Sequence, residues 1–328
     1  MNFNLNTKTI STPVASAVGS VFFRPLQERM FGLLNFHKPI GVTSRDCVNQ
    51  IQRIIQPIKC GHAGTLDPIA EGVLLIGVGQ VVRLVDWIHL LSKTYVADFQ
   101  LGKTSPSVDC ETQVVDVCVD VVPTLKELEE ALSSFRGSIL QTPPIYSAIR
   151  VGGKRAHELA RAGKRVEIPP RTVEIHRFEI LSYSYPDLRV EIDCSTGTYV
   201  RSLGRDLARS VGSDAIMTAL VRTRVGDFSV ETSTNAASLT SEEDIHSALV
   251  NPLRALTTMP RITLPDDQVF AVLQGKQLLL GEYSIAEDCQ EVAISNRAGV
   301  LQGILCRRYD NYQKWSAKRN FHPQPVSD

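Results

Sequence analysis

Nowhere in this 328-residue chain do apolar residues run for the roughly 18 positions that a membrane-spanning helix needs, so residence in a membrane is not expected. Charge of one sign is not in excess either. Lys and Arg number 35, as do Asp and Glu, which excludes a histone-like or polyanionic protein but leaves room for a local basic stripe. The seven cysteines (Cys47, Cys60, Cys110, Cys118, Cys194, Cys289 and Cys306) contain no C-x-x-C pair. Neither a zinc site nor a disulfide framework is indicated, and a reduced, cytoplasmic compartment fits best. No internal repeat is evident. What remains is an ordinary globular composition, 43% hydrophobic and 21% charged, with length for two domains rather than one.

Residues 1–29 are rich in Ser, Thr, Asn and Val and are read as a disordered extension rather than a targeting segment, with Met30 a second candidate start. From residue 31, strand and helix patterns alternate. Residues 31–36 read as a strand, ended by Pro39 and Gly41. Ser44 is placed to cap a helix whose apolar face is Cys47, Val48, Ile51, Ile54 and Ile55, stopped by Pro57. Val73–Val78 is an apolar strand, and residues 95–101 alternate with Tyr95, Ala97, Phe99 and Leu101 on one side. Thr124 and Glu127 make a capping box for a helix with Leu125, Leu128, Leu132 and Phe135 on one face. Leu188, Val190, Ile192 and Cys194 form another half-buried strand, leading into a helix with Val200, Leu203, Leu207 and Val211. The interleaving lacks a regular βαβ period and argues α+β. A composition shift near residues 235–260 separates a catalytic-sized region, 30–250, from a small β-rich segment, 255–322.

Chemistry could sit in two places. Gly61-His62-Ala63-Gly64-Thr65-Leu66-Asp67-Pro68 is a glycine-permitted loop that presents a carboxylate, and Pro68 restricts the backbone of Asp67. Asp67 there is either a nucleophile or base, or the closing residue of an Asx turn. The glycines are not followed directly by Gly-Lys-Ser/Thr, so this is no Walker loop, and His62 and Asp67 lack a third metal ligand. The second place is basic. Residues 150–171 hold Arg150, Lys154, Arg155, Arg161, Lys164, Arg165 and Arg171 against only Glu158 and Glu167. This is either a phosphate-binding surface or a solvated helix face. Arg201, Arg205 and Arg209 add a second basic series and favour the former. A carboxylate loop beside such a surface suggests an enzyme acting on a polyanion.

Four motifs in order make the chain similar to the TruB-type tRNA pseudouridine synthases, from about Leu33 to Phe228. They are His37-Lys38-Pro39-x-Gly41-x-Thr-Ser44, the Asp67 loop through Gly72, Gln141-x-Pro143-Pro144-x-Tyr146-Ser147-Ala148, and Cys194-Ser-x-Gly197-Thr-Tyr199-Val-Arg201. The resemblance implies a mixed, largely antiparallel central sheet flanked by helices and loops. It also implies an RNA-gripping insertion at 141–172 and, more loosely, a PUA-like RNA-binding module at 255–322. The activity it implies is isomerisation of uridine 55 in the TΨC arm of tRNA to pseudouridine. By position, Asp67 is the catalytic aspartate, Tyr95 the tyrosine stacking on the target base and Arg201 the arginine paired with the aspartate. His62 helps hold the opened loop, and Lys38, Asp109 and Leu220 match further substrate-binding positions. Lys154, Arg155, Lys164 and Arg165 would grip the T-arm.

The implied reaction is redox-neutral and needs no water, so no cofactor or metal is expected. The partner is tRNA alone, with no protein partner and a monomer as the default. Burial should raise the Asp67 pKa and Arg201 should oppose that shift. Two rivals remain: a non-catalytic chaperone that opens and refolds tRNA with the same cleft, and a hydrolase that releases free uracil.

Overall fold

The computed structural model describes residues 30–147, 149–164, 166–308 and 313–321; the expected extension at 1–29 lies outside them. In the first half, strands β1 (Gly32–Lys38), β2 (Cys60–Ala63), β3 (Ala70–Val78) and β4 (Lys93–Leu101) surround helices α1 (Ser44–Ile54) and α2 (Val85–His89). There follow the short strands β5 (Lys103–Thr104) and β6 (Val115–Asp116), helix α3 (Leu125–Leu132) and strand β7 (Gly137–Gln141). The basic segment forms a two-residue hairpin pair, β8 (Arg150–Val151) and β9 (Lys154–Arg155), and helix α4 (Ala156–Arg161). Long strands β10 (Arg171–Ser184) and β11 (Asp187–Cys194) lead to α5 (Val200–Ser210) and β12 (Ala215–Val225). Two-residue strands β13 (Phe228–Ser229) and β14 (Thr234–Asn235), helix α6 (Glu242–Ala248) and strand β15 (Leu249–Val250) close this part. The remainder is β16 (Arg261–Thr263), α7 (Asp266–Leu273), β17 (Leu278–Leu279), β18 (Glu291–Ser295), β19 (Leu301–Arg307) and β20 (Lys314–Asn320).

The main sheet runs β14-β1-β3-β12-β4-β11-β10-β7, with β2, β13 and β15 paired at its sides. Only β1 with β14 and β3 with β12 are parallel; the other neighbours are antiparallel. This is the expected α+β arrangement. The second sheet, β16-β18-β19-β20-β17, holds its own core around Leu264, Val292, Ile294, Leu305 and Trp315. Its other side joins the main body: Ala293, Leu301, Ile304 and Phe321 pack with Val81, Leu84 and Trp87, and Trp87 Nε1 donates to Glu291 at 2.7 Å.

Local chemistry explains the elements. The α3 capping box forms as read, with Glu127 N–H donating to Thr124 and Thr124 N–H donating to Glu127. Leu128 and Leu132 are buried, whereas Leu125, in the first turn, is exposed. At α1 the cap is Thr43, not Ser44, because Thr43 and Asp46 satisfy one another reciprocally while the Ser44 hydroxyl is taken by Leu66. Ala97, Phe99 and Leu101 point to one core face with Val190, Ile192 and Leu203, as their alternation requires. That core seats α5 against β4 at Gly204, where an added Cβ would lie 2.0 Å from a Phe99 ring carbon.

Gly204→Ala therefore tests the seating. Helix propensity favours Ala by about 1 kcal/mol, and overpacking costs about 1–3 kcal/mol. We expect a lower melting temperature; an unchanged or higher one would show that Phe99 yields freely.

Candidate active site

The Asp67 loop enters from β2 and leaves into β3, and the motif beginning at His37 is its splint. The Lys38 ammonium, with none of its residue exposed, donates to Ala70 O at 2.6 Å and Pro39 O at 3.0 Å. Gly41 N–H donates to Pro68 O at 2.8 Å. Ser44 Oγ donates to Leu66 O at 3.2 Å and accepts from Leu66 N at 2.9 Å. From the other side, Arg222 on β12 donates Nε to Val73 O at 2.7 Å and Nη2 to Gly64 O at 3.0 Å. The loop is thus held at 64, 66, 68, 70 and 73, with Asp67 between the ties. Its turn is closed by backbone, Ala70 N to Asp67 O at 3.0 Å, and the Asp67 carboxylate faces Arg201. The Asx-turn alternative is set aside.

Arg201, in the first turn of α5, meets the loop. Its Nη2 lies 2.9 Å from the Asp67 carboxylate and its Nη1 3.1 Å from that of Asp109. The same guanidinium donates to Ser107 O at 2.7 Å and Tyr146 O at 3.0 Å. The Arg201 side chain is 5% exposed and Asp109 2%, whereas Asp67 is 39% exposed and open to the cleft. Asp109 also accepts from Glu111 N at 2.9 Å, and the Val108 before it has φ +62°, a left-handed conformation costly for a β-branched residue. The α5 entry is fixed by Gln141, whose side-chain amide accepts from Tyr199 N and donates to Tyr199 O.

Burial pushes the Asp67 carboxyl above the usual carboxylate range, opposed by Arg201 and assisted by Asp109 and Glu111. His62 is pushed down to about 4, first by burial and then by Arg45 and Arg222, so its imidazole is neutral; its Nδ1 is buried without a partner. Burial raises the Tyr95 phenol against the opposing pull of Arg222, so Tyr95 stays protonated.

Asp67 and Arg201 stand where two cavities meet. The inner one, about 270 Å³, is also lined by Tyr95, Leu220, Tyr199, Lys93, His89, Arg171 and Arg222. The outer one, about 520 Å³, is rimmed by Arg45, His62, Glu111, Arg155 and Arg161. The structure therefore brings Asp67, Tyr95, Arg201, Leu220 and His62 to the cleft, with Asp109 behind Arg201 and Lys38 beneath the loop. Arg155 reaches the outer rim, Lys154 and Lys164 are exposed beyond it, and Arg165 lies outside the described residues. Arg161 is ion-paired to Glu111. The second basic series is not a free surface: Arg205 pairs with Asp206 at 2.8 Å and Arg209 with Asp214 at 2.9 Å. Among the described residues, no three of His, Cys, Asp and Glu gather to hold a metal ion.

Sequence reading passed over Lys93, His89, Tyr199 and Arg222 as site residues. A period of two could have found some of them, since Lys93 and Tyr95 share a strand face, as do Leu220 and Arg222. Their convergence needs the register, in which Gly72, Arg222, Tyr95 and Ile192 form one row across four strands.

The family model for TruB family pseudouridylate synthase (N terminal domain) matches residues 52–200. A tRNA pseudouridine synthase B of Rhodopirellula baltica is 39% identical over 258 residues, 74% of either chain. Those of Syntrophobacter fumaroxidans and Synechocystis sp. are 40% and 38% identical, over 75% and 78% of this chain and 82% and 88% of their own. The crystal structure of a Cbf5-Nop10-Gar1 complex superposes with TM-score 0.70 at 26% identity, covering 92% of this chain and 88% of that one. The archaeal box H/ACA sRNP Nop10-Cbf5 complex gives 0.68 at 25%, covering 92% and 90%.

A folded-state pKa raised above that of the unfolded chain means that ionised Asp67 costs stability at neutral pH, and that this cost is relieved as pH falls through the folded pKa. In Asp67→Asn, Arg201 keeps Asp109. We expect the variant to melt no lower than wild type at pH 7.5, with any advantage shrinking toward acid pH. A variant melting several degrees lower at pH 7.5 would contradict this ordering of burial over pairing.

Proposed function

Because the chain belongs to the TruB family of pseudouridylate synthases, we propose that it converts uridine 55 in the TΨC arm of tRNA to pseudouridine. The observation that carries this is the carboxylate of Asp67, held at 2.9 Å by Arg201 on the floor of a cleft whose inner cavity suits one nucleoside. In the reaction the uracil N1–C1′ bond breaks, the base turns, C5 bonds to C1′, the C5 proton leaves and N1 takes up a proton. Atoms and charge balance without water or redox change. The base must first leave its stack, at a few kcal/mol, to reach the inner cavity.

Asp67 acts ionised, whether on C1′, on C6 or on a sugar proton. Arg201 favours that form and fixes its direction, while burial keeps it more basic than a free aspartate. Tyr95 offers its ring face to the uracil, worth roughly 1–3 kcal/mol per stacked base, and Leu220 supplies an apolar wall. Neutral His62, on the outer cavity, fills the space the base vacates. Asp109 and Lys38 act through Arg201 and the loop backbone. Arg155 on the outer rim, together with the other basic residues of its segment, Lys154, Lys164 and Arg165, grips the T-arm phosphates. Residues 30–250 are the catalytic domain, with 141–172 as the gripping insertion and 255–322 an RNA-binding module. The protein works as a monomer, and seven free thiols support a cytoplasmic setting.

A T-arm minihelix assay with the modified position mapped tests the reading. Asp67→Asn should lose roughly 10⁴-fold or more in rate while binding persists, and Arg201→Lys should be severe because a point charge replaces a planar fork. The acid limb of the wild-type pH–rate profile should lie above the ~3.9 of a free aspartate. Substantial product from Asp67→Asn would defeat the assignment. Replacing Lys154, Arg155 and Lys164 with Ala should flatten the log–log salt dependence of binding by about 0.7–0.9 for each phosphate no longer neutralised; an unchanged slope would place these residues off the RNA.

A further inference from the structure

Across the inner cavity from Arg201, positive charge stands without acid. Arg222 is 1% exposed, yet among the described residues it forms no ion pair; its Nε and Nη2 go to the carbonyls of Val73 and Gly64. Lys93, on β4, is 6% exposed and donates to the carbonyls of His89 and Leu91, again with no ion pair. Arg171 lines the same cavity, donates to Gly197 O and lies with its guanidinium carbon 4.9 Å from the centre of the Tyr199 ring. Its Nε is buried without a partner. Of all the residues lining this cavity, Asp67 is the sole carboxylate, and Arg201 already faces two.

Holding backbone carbonyls needs donors, not charge. A neutral donor would do so without the cost of burying a cation that has no anionic partner. The fold keeps two such cations on adjacent strands, on the face that carries Tyr95, the cross-strand partner of Arg222. They press on one another: burial and Arg222 bring Lys93 down to about 8, and burial and Lys93 hold His89 below its usual range. Arg222 also hydrogen-bonds the Tyr95 side chain, and Gly64, at φ +81°, puts no side chain over it, since a Cβ there would lie 3.4 Å from Nη1.

A nucleotide entering this cavity brings a neutral base and a neutral ribose. Its only anions are the phosphodiesters on either side. We propose that Lys93 and Arg222 form the seat for one phosphodiester adjoining the flipped uridine, fixing the ribose so that C1′ faces Asp67. This rests on the reading of Asp67 as the centre of a uridine isomerisation.

The experiment neutralises the ligand as well as the protein. T-arm minihelices carry a methylphosphonate (each diastereomer) 5′ or 3′ of the target uridine, or at a distant stem position as control. Single-turnover rates and binding are measured with wild type and Lys93→Met. With wild type, one adjoining methylphosphonate should cost about ten- to hundredfold, the worth of one charge-assisted hydrogen bond, and the control nothing. Lys93→Met should lose a comparable factor on native RNA and little more on the sensitive methylphosphonate RNA. Wild type indifferent to both adjoining substitutions overturns the seat whatever the variant does, and so do losses that multiply. Failure of wild type to make pseudouridine in the native minihelix would instead overturn the underlying reading, and the seat with it.

Discussion

One guanidinium holds the site together. Arg201 is where four separate segments end their approach: the Asp67 loop, the 105–112 loop through Ser107 and Asp109, the Tyr146 turn and the start of α5. Because its planar fork spreads donors in fixed directions, each partner's position constrains the others. The rest of the fold supplies what that meeting requires. Gln141 sets the entry of α5, Phe99 seats it at Gly204, and Lys38, Gly41, Ser44 and Arg222 immobilise the loop on which Asp67 sits. Asp109 completes the arrangement at an electrostatic expense to Asp67. Its charge adds to burial in raising the Asp67 carboxyl, against the pull of Arg201.

Much of this was legible in the residues. Alternation in 95–101 and 188–194, the Thr124–Glu127 box and the apolar spacing of α1 and α5 announce elements whose local chemistry agrees with their tertiary place. The Asp67 loop was visible as glycines and a proline around an acid, but its two outcomes, Asx turn or exposed carboxylate, differ only by a partner 134 positions away in sequence. The same limit explains Ser44: its hydroxyl was a fair cap candidate until Leu66, from another segment, claimed it. Arg205 and Arg209 looked like free cations because a linear reading does not show that Asp206 and Asp214 turn toward them. Arg222 and Lys93 stand on separate strands far apart in sequence, and only the pairing of β4 with β12 makes them neighbours.

The site divides its charge by depth. The floor is net negative, with the carboxylates of Asp67 and Asp109 sharing the one cation of Arg201. The inner wall carries Lys93, Arg171 and Arg222, and the outer rim carries Arg45 and Arg155 beside the Arg161–Glu111 pair. A field of this shape attracts a polyanion at the mouth and leaves Asp67 as the one carboxylate facing the inner cavity.

The second sheet has a mechanical consequence. Its residues Glu291 and Phe321 meet Trp87 and Arg83, on the segment that turns through α2 into the Lys93 strand. The carbonyls that Lys93 grips belong to the last residue of that short helix, His89, and to Leu91 just beyond it. Five residues of helix cannot hold their own shape in water, so the C-terminal sheet serves as a backstop for one side of the cleft. A shortened protein lacking it would keep the ties that order the floor and lose a support of the wall opposite.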